Sequence, residues 1–146
     1  MTEFNLKTIG VACAIVVDLD HSILVTQRSQ SMSLPLKWEF PGGKIEPNET
    51  VEECLIREIK EELRIDIEIL KRLEPNSHTY PTLTINLIPF ICKVIGGKIN
   101  LAEHAAYKWV DANELLILDW ADADVPIVKN CLNYLNQISA TPQEIR

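Results

Sequence analysis

Three glutamates near the middle of the chain offer the clearest chemistry in the sequence. Glu58, Glu61 and Glu62 are spaced i, i+3 and i+4, so a helix places their carboxylates on neighbouring positions of one face. Like charges so close repel, and the two later residues lie toward the negative end of the helix dipole. A solvated acidic face is the simplest interpretation, but a bound divalent cation would offset both costs.

The residues ahead of this helix could supply a further ligand. Pro41-Gly42-Gly43 predicts a sharp break in the chain, where bare backbone carbonyls can approach the same point. Oxygen-only ligands favour Mg²⁺ or Mn²⁺ over zinc. Because Mg²⁺ commonly bridges carboxylates to substrate phosphates, such a site would let an acidic chain bind a polyanion.

Residues 43–65 resemble the 23-residue Nudix box of the Nudix hydrolase family, Gly-x5-Glu-x7-Arg-Glu-U-x-Glu-Glu-x-Gly-U, where U is apolar. The matching positions are, in order, Gly43, Glu49, Arg57, Glu58, Ile59, Glu61, Glu62 and Ile65. One defined position differs, because Arg64 stands where the family has glycine. So many defined residues at fixed spacing make this match far more specific than a lone glycine motif.

The resemblance extends beyond the box. The segment from Trp38 to Glu46, with Arg28 ahead of it, is similar to the MutT-type and CTP pyrophosphohydrolase branch of the family. Downstream, Glu103-His104 and Ala123-Asp124-Val125-Pro126 resemble the CTP pyrophosphohydrolase most. The implied fold is an α/β/α sandwich of the α+β class, with a mixed sheet between helices.

The resemblance also implies roles for the box residues. Glu58, Glu61, Glu62 and the carbonyl of Gly43 match metal-binding positions, and Glu58 also matches the general base. Glu103 matches a late carboxylate that approaches the metals, with an ordinary solvated glutamate as its alternative. Arg57 matches the arginine that orients the carboxylates. Arg57 lies four residues from Glu53 and from Glu61, a helical spacing at which its side chain can contact their carboxylates.

Four residues are implied to bind substrate. Arg28 corresponds to a phosphate contact, which suits its planar fork of donors, and Lys44 follows the glycines. Phe40 matches a position that borders the base. Asp124 matches the segment that lines the base pocket, where an ionised carboxylate would accept from the exocyclic amine of cytosine or adenine. The alternative for Asp124 is a helix cap.

The resemblance implies a Mg²⁺-dependent pyrophosphohydrolase, with Mn²⁺ as an alternative metal. Its substrate would be a (d)NTP, including oxidised or modified ones, which it would cut at the β-phosphorus to (d)NMP and pyrophosphate. The alternatives are Nudix hydrolysis of ADP-ribose, a dinucleoside polyphosphate or capped RNA, and a non-catalytic nucleotide-binding module. The intact glutamates favour catalysis. The base stays open, because Thr82 to Thr84 lack the arginine that MutT-like enzymes use for 8-oxo-dGTP. His78 and His104 show no partner and are assigned no acid–base role.

The elements that must position these residues follow from periodicity. Apolar spacing of three and four residues and the pair Thr50 and Glu53 predict a capped helix from Thr50 to Leu63. Two β-type runs joined by turn residues predict a hairpin, from Thr8 to Leu19 and from Ser22 to Arg28. Further strands are predicted at residues 65–69, 83–95 and 106–110, and a second helix at residues 125–138.

Composition narrows the remaining classes. A chain of 146 residues with 47% hydrophobic and 24% charged residues predicts one folded domain, with a frayed tail at residues 139–146. The net charge of −7 disfavours sequence-independent nucleic-acid binding. The sequence shows neither a leader nor a membrane span, and its four dispersed cysteines are typical of reduced thiols, so we expect a cytoplasmic protein. We expect it to be a monomer or dimer that acts on a small nucleotide.

Overall fold

The computed structural model describes residues 7–139, which form two sheets and two long helices. The strands are β1 (Lys7–Val16), β2 (Ile23–Gln27), β3 (Trp38–Glu39), β4 (Gly42–Lys44), β5 (Ile65–Arg72), β6 (Asn76–Thr79), β7 (Leu83–Gly97) and β8 (Ala106–Val110). The helices are α1 (Val51–Leu63), α2 (Ala112–Leu115) and α3 (Val125–Ser139), and a 3₁₀ turn at Asp122–Asp124 precedes α3. The larger sheet has the order β4-β1-β7-β5 with β6 also paired to β7, and the smaller has the order β3-β2-β8.

Strand β1 shows why the architecture is a sandwich. Its alternate residues Cys13 and Ile15 pack in one apolar cluster with residues of α3, such as Ile127. Ala14 and Val16 pack in a second cluster with residues of α1. Because strand side chains alternate between faces, this strand is covered on both sides. It pairs in parallel with β7 and antiparallel with β4, so the predicted α+β fold with a mixed sheet between helices is confirmed.

The predicted hairpin of the first two strands is wrong. The turn itself is present, since Asp18 Oδ1 accepts the N–H groups of Asp20 and Ser22. Beyond it, only the isolated bridge between Val17 and Ile23 joins the two segments. Strand β1 belongs to the larger sheet and β2 to the smaller one, because β1 is buried on both faces and takes its partners from distant segments. The turn therefore leads from one sheet to the other.

The glycines ahead of α1 form a strand where the sequence predicted a break. Gly42 lies opposite Cys13 and Gly43 opposite Ala12 in the pairing of β4 with β1. A Cβ atom on Gly42 would collide with the backbone of Ala12 and Cys13. Glycine is needed at this position because the two strands approach so closely.

Helix α1 matches its prediction. Thr50 caps the helix through its side chain, which accepts the N–H of Glu53, while the Glu53 carboxylate accepts the N–H of Thr50. The helix ends at Arg64, which adopts the left-handed conformation with φ 62° and ψ 27°. Glycine adopts this conformation without strain, so the departure from the family pattern falls at a position that favours glycine.

The remaining predictions concern the strands, the last helix and the cysteines. The structure confirms the strands expected in the second half and the C-terminal helix, and it adds β6 and α2. The four cysteines are buried free thiols, as expected. Residues 140–146 of the expected frayed tail lie outside the described residues. Between residues 7 and 139, no helix combines the length and apolar character that a membrane crossing requires.

Candidate active site

Arg57 organises the acidic face of α1. Its Nε and Nη2 donate to the Glu49 carboxylate at 2.9 and 2.8 Å, and its Nη1 donates to Glu58 at 3.0 Å and Glu61 at 3.2 Å. The hydrogen bond from Arg57 is the main reason why the pKa of Glu49 falls to about 2. The expected i, i+4 contact is formed with Glu61, whereas Glu53 takes part in the helix cap. One guanidinium thus fixes three carboxylates of the box.

Glu58 lies directly against the backbone of β4. A Cβ atom on Gly43 would overlap the Glu58 carboxyl group, so glycine at this position lets the carboxylate reach the strand. Burial raises the pKa of Glu58, and the hydrogen bond from Arg57 opposes that rise. A carboxylate held this way can accept a proton more readily than an exposed one. The Gly43 carbonyl accepts a hydrogen bond from the thiol of Cys54 at 3.6 Å.

Glu62 is the most buried carboxylate of the three. Burial, followed by the negative charges of Glu39 and Glu58, raises the pKa of Glu62 to about 8. Its Oε1 atom is buried and has no hydrogen-bond partner within residues 7–139. Glu61 differs, because 60% of its side chain is exposed. A buried carboxylate oxygen without a hydrogen-bond partner, close to further acidic groups, is typical of a cation-binding site.

The donor set at this face fits a divalent cation. Glu58, Glu61, Glu62 and the Gly43 carbonyl offer oxygen atoms only, as Mg²⁺ and Mn²⁺ prefer. In the described part of the chain, no group of three or more His, Cys, Asp or Glu side chains is already arranged as a metal site. The contacts of Arg57 with Glu58 and Glu61 partly offset the negative charge of those carboxylates. The divalent cation that the sequence resemblance implies therefore has oxygen donors available at this face.

Glu103 lies on the loop between β7 and β8, beside the C-terminal end of α1. The loop is anchored there by the N–H of Ala102, which donates to the carbonyl of Glu62 at 3.1 Å. Glu103 is exposed, and its charge contributes to the raised pKa of Glu62. The structure therefore places Glu103 near Glu62 of α1.

Glu39 is a site residue that the sequence analysis missed. Its Oε1 accepts Nη1 of Arg28 and its Oε2 lies 2.8 Å from Nε2 of His104, a residue for which the sequence showed no partner. The available signal was a charged residue between two aromatic ones, Trp38 and Phe40. Local pattern could not identify its partners, because His104 is 65 positions away.

A cavity of about 490 Å³ joins these groups to an apolar pocket. Its charged lining residues include Arg28, Lys44, Glu39 and Glu62. Phe40 is 3% exposed, and its ring stacks on Trp120 with centroids 4.8 Å apart. The remaining wall is largely apolar and includes Cys13, Tyr80, Leu83, Leu87 and Ala123. The sequence-predicted residues Arg28, Phe40, Lys44 and Asp124 therefore share one cavity with the buried carboxylate of α1.

Asp124 also lines the cavity and is 6% exposed. Its Oδ2 accepts the N–H of Phe40 at 2.8 Å, so this carboxyl group joins the 3₁₀ turn to the segment after β3. Burial and the charge of Glu39 raise the pKa of Asp124 well above its ordinary value. The neutral form is thereby favoured, and a neutral carboxyl can donate as well as accept. The described hydrogen bond reaches across the fold to Phe40, which differs from the local contact of a helix cap.

Comparisons with known proteins agree with this architecture. Residues 6–131 match the model of the NUDIX domain. The chain is 32% identical over 124 residues to the CTP pyrophosphohydrolase of Escherichia coli, covering 85% of this chain and 91% of the relative. It is 35% identical over 85 residues to the 8-oxo-dGTP diphosphatase of Proteus vulgaris, covering 58% of this chain and 76% of the relative.

A solved structure gives the same result. The solution structure of MutT, a Nudix hydrolase from methicillin-resistant Staphylococcus aureus, is 41% identical and superposes with a TM-score of 0.72. The match covers 89% of this chain and 99% of that one. With the family match, the box on α1 and the sandwich fold in agreement, the chain belongs to the Nudix family of hydrolases.

Proposed function

We propose that this Nudix pyrophosphohydrolase cleaves nucleoside triphosphates, ribo or deoxy, to the monophosphate and pyrophosphate. The observation that carries the proposal is the cavity, which brings Glu62 of α1 together with Arg28, Lys44 and a largely apolar wall. A triphosphate needs cations at one end and a base pocket at the other. Relatives named CTP pyrophosphohydrolase and 8-oxo-dGTP diphosphatase support this substrate class.

The metal-binding residues would be Glu58, Glu61, Glu62 and Gly43, with Glu103 approaching from its loop. Bound Mg²⁺ or Mn²⁺ would neutralise phosphate charge and lower the pKa of an attacking water. The raised pKa of Glu62 would fall on binding, because a cation favours the ionised carboxylate. The contacts of Arg57 would keep the remaining carboxylates in orientation.

The reaction itself is a displacement at phosphorus. Water attacks the β-phosphorus, the bond from that phosphorus to the bridging oxygen breaks, and the monophosphate leaves with that oxygen. Glu58 accepts the proton of the attacking water, for which its position against Gly43 and its raised pKa are suited. Arg28 and Lys44, which both line the cavity, donate to phosphate oxygens as negative charge develops.

The base binds against the apolar part of the cavity wall. The Phe40 ring, held by Trp120, provides a flat wall, and Asp124 presents one carboxyl oxygen while the other accepts the Phe40 N–H. Asp124 therefore contacts the edge of the base, and its protonation state determines whether it donates or accepts.

Charge removal on α1 tests the proposal. We expect Glu58→Gln and Glu62→Gln each to lower kcat for pyrophosphate release by about a hundredfold or more, because each removes charge at the reacting centre without changing side-chain volume. Glu52→Gln is the matched control, since Glu52 is exposed in the first turn of the same helix. Circular dichroism checks that all three variants fold. Substrate cleavage without pyrophosphate release, or full activity in both site variants, would refute the proposal.

A further inference from the structure

Three hydrogen-bonded side chains run along one wall of the cavity. Glu39 Oε1 accepts Nη1 of Arg28 at 2.8 Å, and Glu39 Oε2 accepts Nε2–H of His104 at 2.8 Å. The side chains of Arg28, Glu39 and His104 are 21%, 18% and 2% exposed. Both oxygens of the Glu39 carboxylate are thus bound to different elements, so its rotation is restrained from two sides.

This arrangement determines which donors of Arg28 are available. Nε donates to the carbonyl of Ser33 at 2.5 Å, and Nη2 donates to the Ser33 hydroxyl at 3.0 Å. With the Glu39 contact, these bonds take three of the five N–H groups of a guanidinium. Within the part of the chain that the structure describes, this leaves one N–H on Nη1 and one on Nη2 for a ligand. The direction of these two N–H groups depends on where Glu39 holds the guanidinium.

His104 is held independently of Glu39. On either side of it, the N–H of Ala102 donates to the carbonyl of Glu62 at 3.1 Å, and the N–H of Ala105 donates to the carbonyl of Gln27 at 2.9 Å. The ring therefore has a fixed position from which Nε2 reaches the carboxylate. The other ring nitrogen, Nδ1, is buried without a hydrogen-bond partner among residues 7–139.

The unpartnered nitrogen argues against a purely structural role. A buried polar atom without a hydrogen bond destabilises the folded state, and an apolar residue of similar size would avoid that cost. What an apolar residue could not supply is the Nε2–H that holds Glu39. The benefit of histidine at this position therefore lies in the Glu39 contact.

We infer that His104 is a positioning residue that, through Glu39, orients the Arg28 guanidinium toward the phosphates of the substrate. The inference rests on the proposed function, in which Arg28 binds phosphate. The loop between β7 and β8 thereby orients a binding group on another element, at the end of β2. His104 acts through Glu39 and does not itself contact the reacting atoms.

A double-mutant cycle tests this inference. We expect His104→Ala to raise KM for a nucleoside triphosphate about tenfold with a smaller change in kcat, which is a typical coupling for residues in one hydrogen-bonded network. In an Arg28→Ala background the same change should have little further effect on KM. His104→Gln should keep KM near that of the wild type, because its amide can still donate to Glu39. His21→Ala, on the turn between β1 and β2, is the control expected to leave both constants unchanged.

Several outcomes would overturn the inference. These are additive effects of the Arg28 and His104 changes, an equal loss in His104→Gln and His104→Ala, or a loss confined to kcat. If His104→Ala does not fold, Glu39→Gln replaces it in the cycle, with the same expected dependence on Arg28. The affinity for a non-hydrolysable triphosphate analogue, measured by calorimetry, separates the two proposals. Coupling in binding without turnover in the wild type would support the positioning role and refute the proposed reaction, and no binding at all would refute both.

Discussion

Replacing Asp124 by asparagine should make the stability of the protein less dependent on pH. In the folded state the Asp124 carboxyl has a pKa well above its ordinary value, first because of burial and then because of the charge of Glu39, with the Phe40 N–H and Arg28 opposing. Between the unfolded and the folded pKa, the folded state holds a proton that the unfolded state has lost. The free energy of unfolding of the wild type therefore falls as pH rises through this window.

The size of the effect per pH unit follows from linkage. Within this window, one fully coupled proton changes the free energy of unfolding by about 1.4 kcal/mol per pH unit. For a chain of 146 residues this corresponds to a shift in Tm of about 4 °C per pH unit. The side chain is 6% exposed, so solvent screening reduces this value little. Asparagine has no such titration, and its oxygen can still accept the Phe40 N–H.

The assay is thermal unfolding of wild type and Asp124→Asn across this pH range. We expect the difference in Tm in favour of the variant to grow by about 4 °C per pH unit. Asp122→Asn, the same change at an exposed position two residues away, should show no such growth. A difference between Asp124→Asn and wild type that stays constant with pH would contradict the reasoning, and a uniform destabilisation would indicate a helix cap.

The same variant also tests the contact with the base. An asparagine whose oxygen faces the Phe40 N–H turns its NH₂ group toward the cavity, where it can only donate. We therefore expect relative kcat/KM to shift from cytosine nucleotides toward guanine or 8-oxoguanine nucleotides, which present a carbonyl. An unchanged substrate ranking would place base selection elsewhere in the cavity.

Removal of divalent ions with excess EDTA should abolish pyrophosphate release, and added Mg²⁺ or Mn²⁺ should restore it; turnover that persists in EDTA would refute the metal site. Arg28→Ala should lower kcat/KM by a similar factor for every base, because phosphate contacts do not read the base; a base-dependent effect, measured over a panel of nucleotides, would mean that Arg28 is misassigned. Arg64→Gly removes the strain of a left-handed non-glycine residue, about 1 kcal/mol, and the greater entropy of glycine in the unfolded chain partly offsets that gain. Tm should therefore rise by about 1–2 °C with kcat unchanged. A large gain in kcat would show that Arg64 distorts the site.

Helix α1 and its carboxylates could be predicted because their determinants are local. The capping box from Thr50 to Glu53 and the apolar spacing along the helix act within one or two turns, so periodicity gave its bounds to within one residue. The fixed spacing of Glu58, Glu61 and Glu62 on one helix likewise determined that they share a face. The same holds for the alternating strands and for the left-handed position of Arg64, where the family pattern marked a glycine.

Only the tertiary structure decided which distant segments meet. The first two strands have the local signature of a hairpin, yet β1 pairs with β7 over ten residues from Lys7 to Val16, and β2 enters the other sheet. Burial of β1 on both faces decides this pairing, and no local turn pattern encodes it.

The contacts of the cavity show the same limit. Glu39 meets His104 across 65 positions, and Asp124 meets Phe40 across 84. Asp124 has the sequence of a helix cap, and Glu39 that of an ordinary charge in a short strand. Their chemistry changes because the fold removes them from water, which raises the pKa of Asp124 and makes each hydrogen bond stronger. Burial is a property of the assembled sheets and helices. The sequence could therefore identify Asp124 as a candidate, but it could not determine the hydrogen-bond partners or the charge of Asp124 and Glu39.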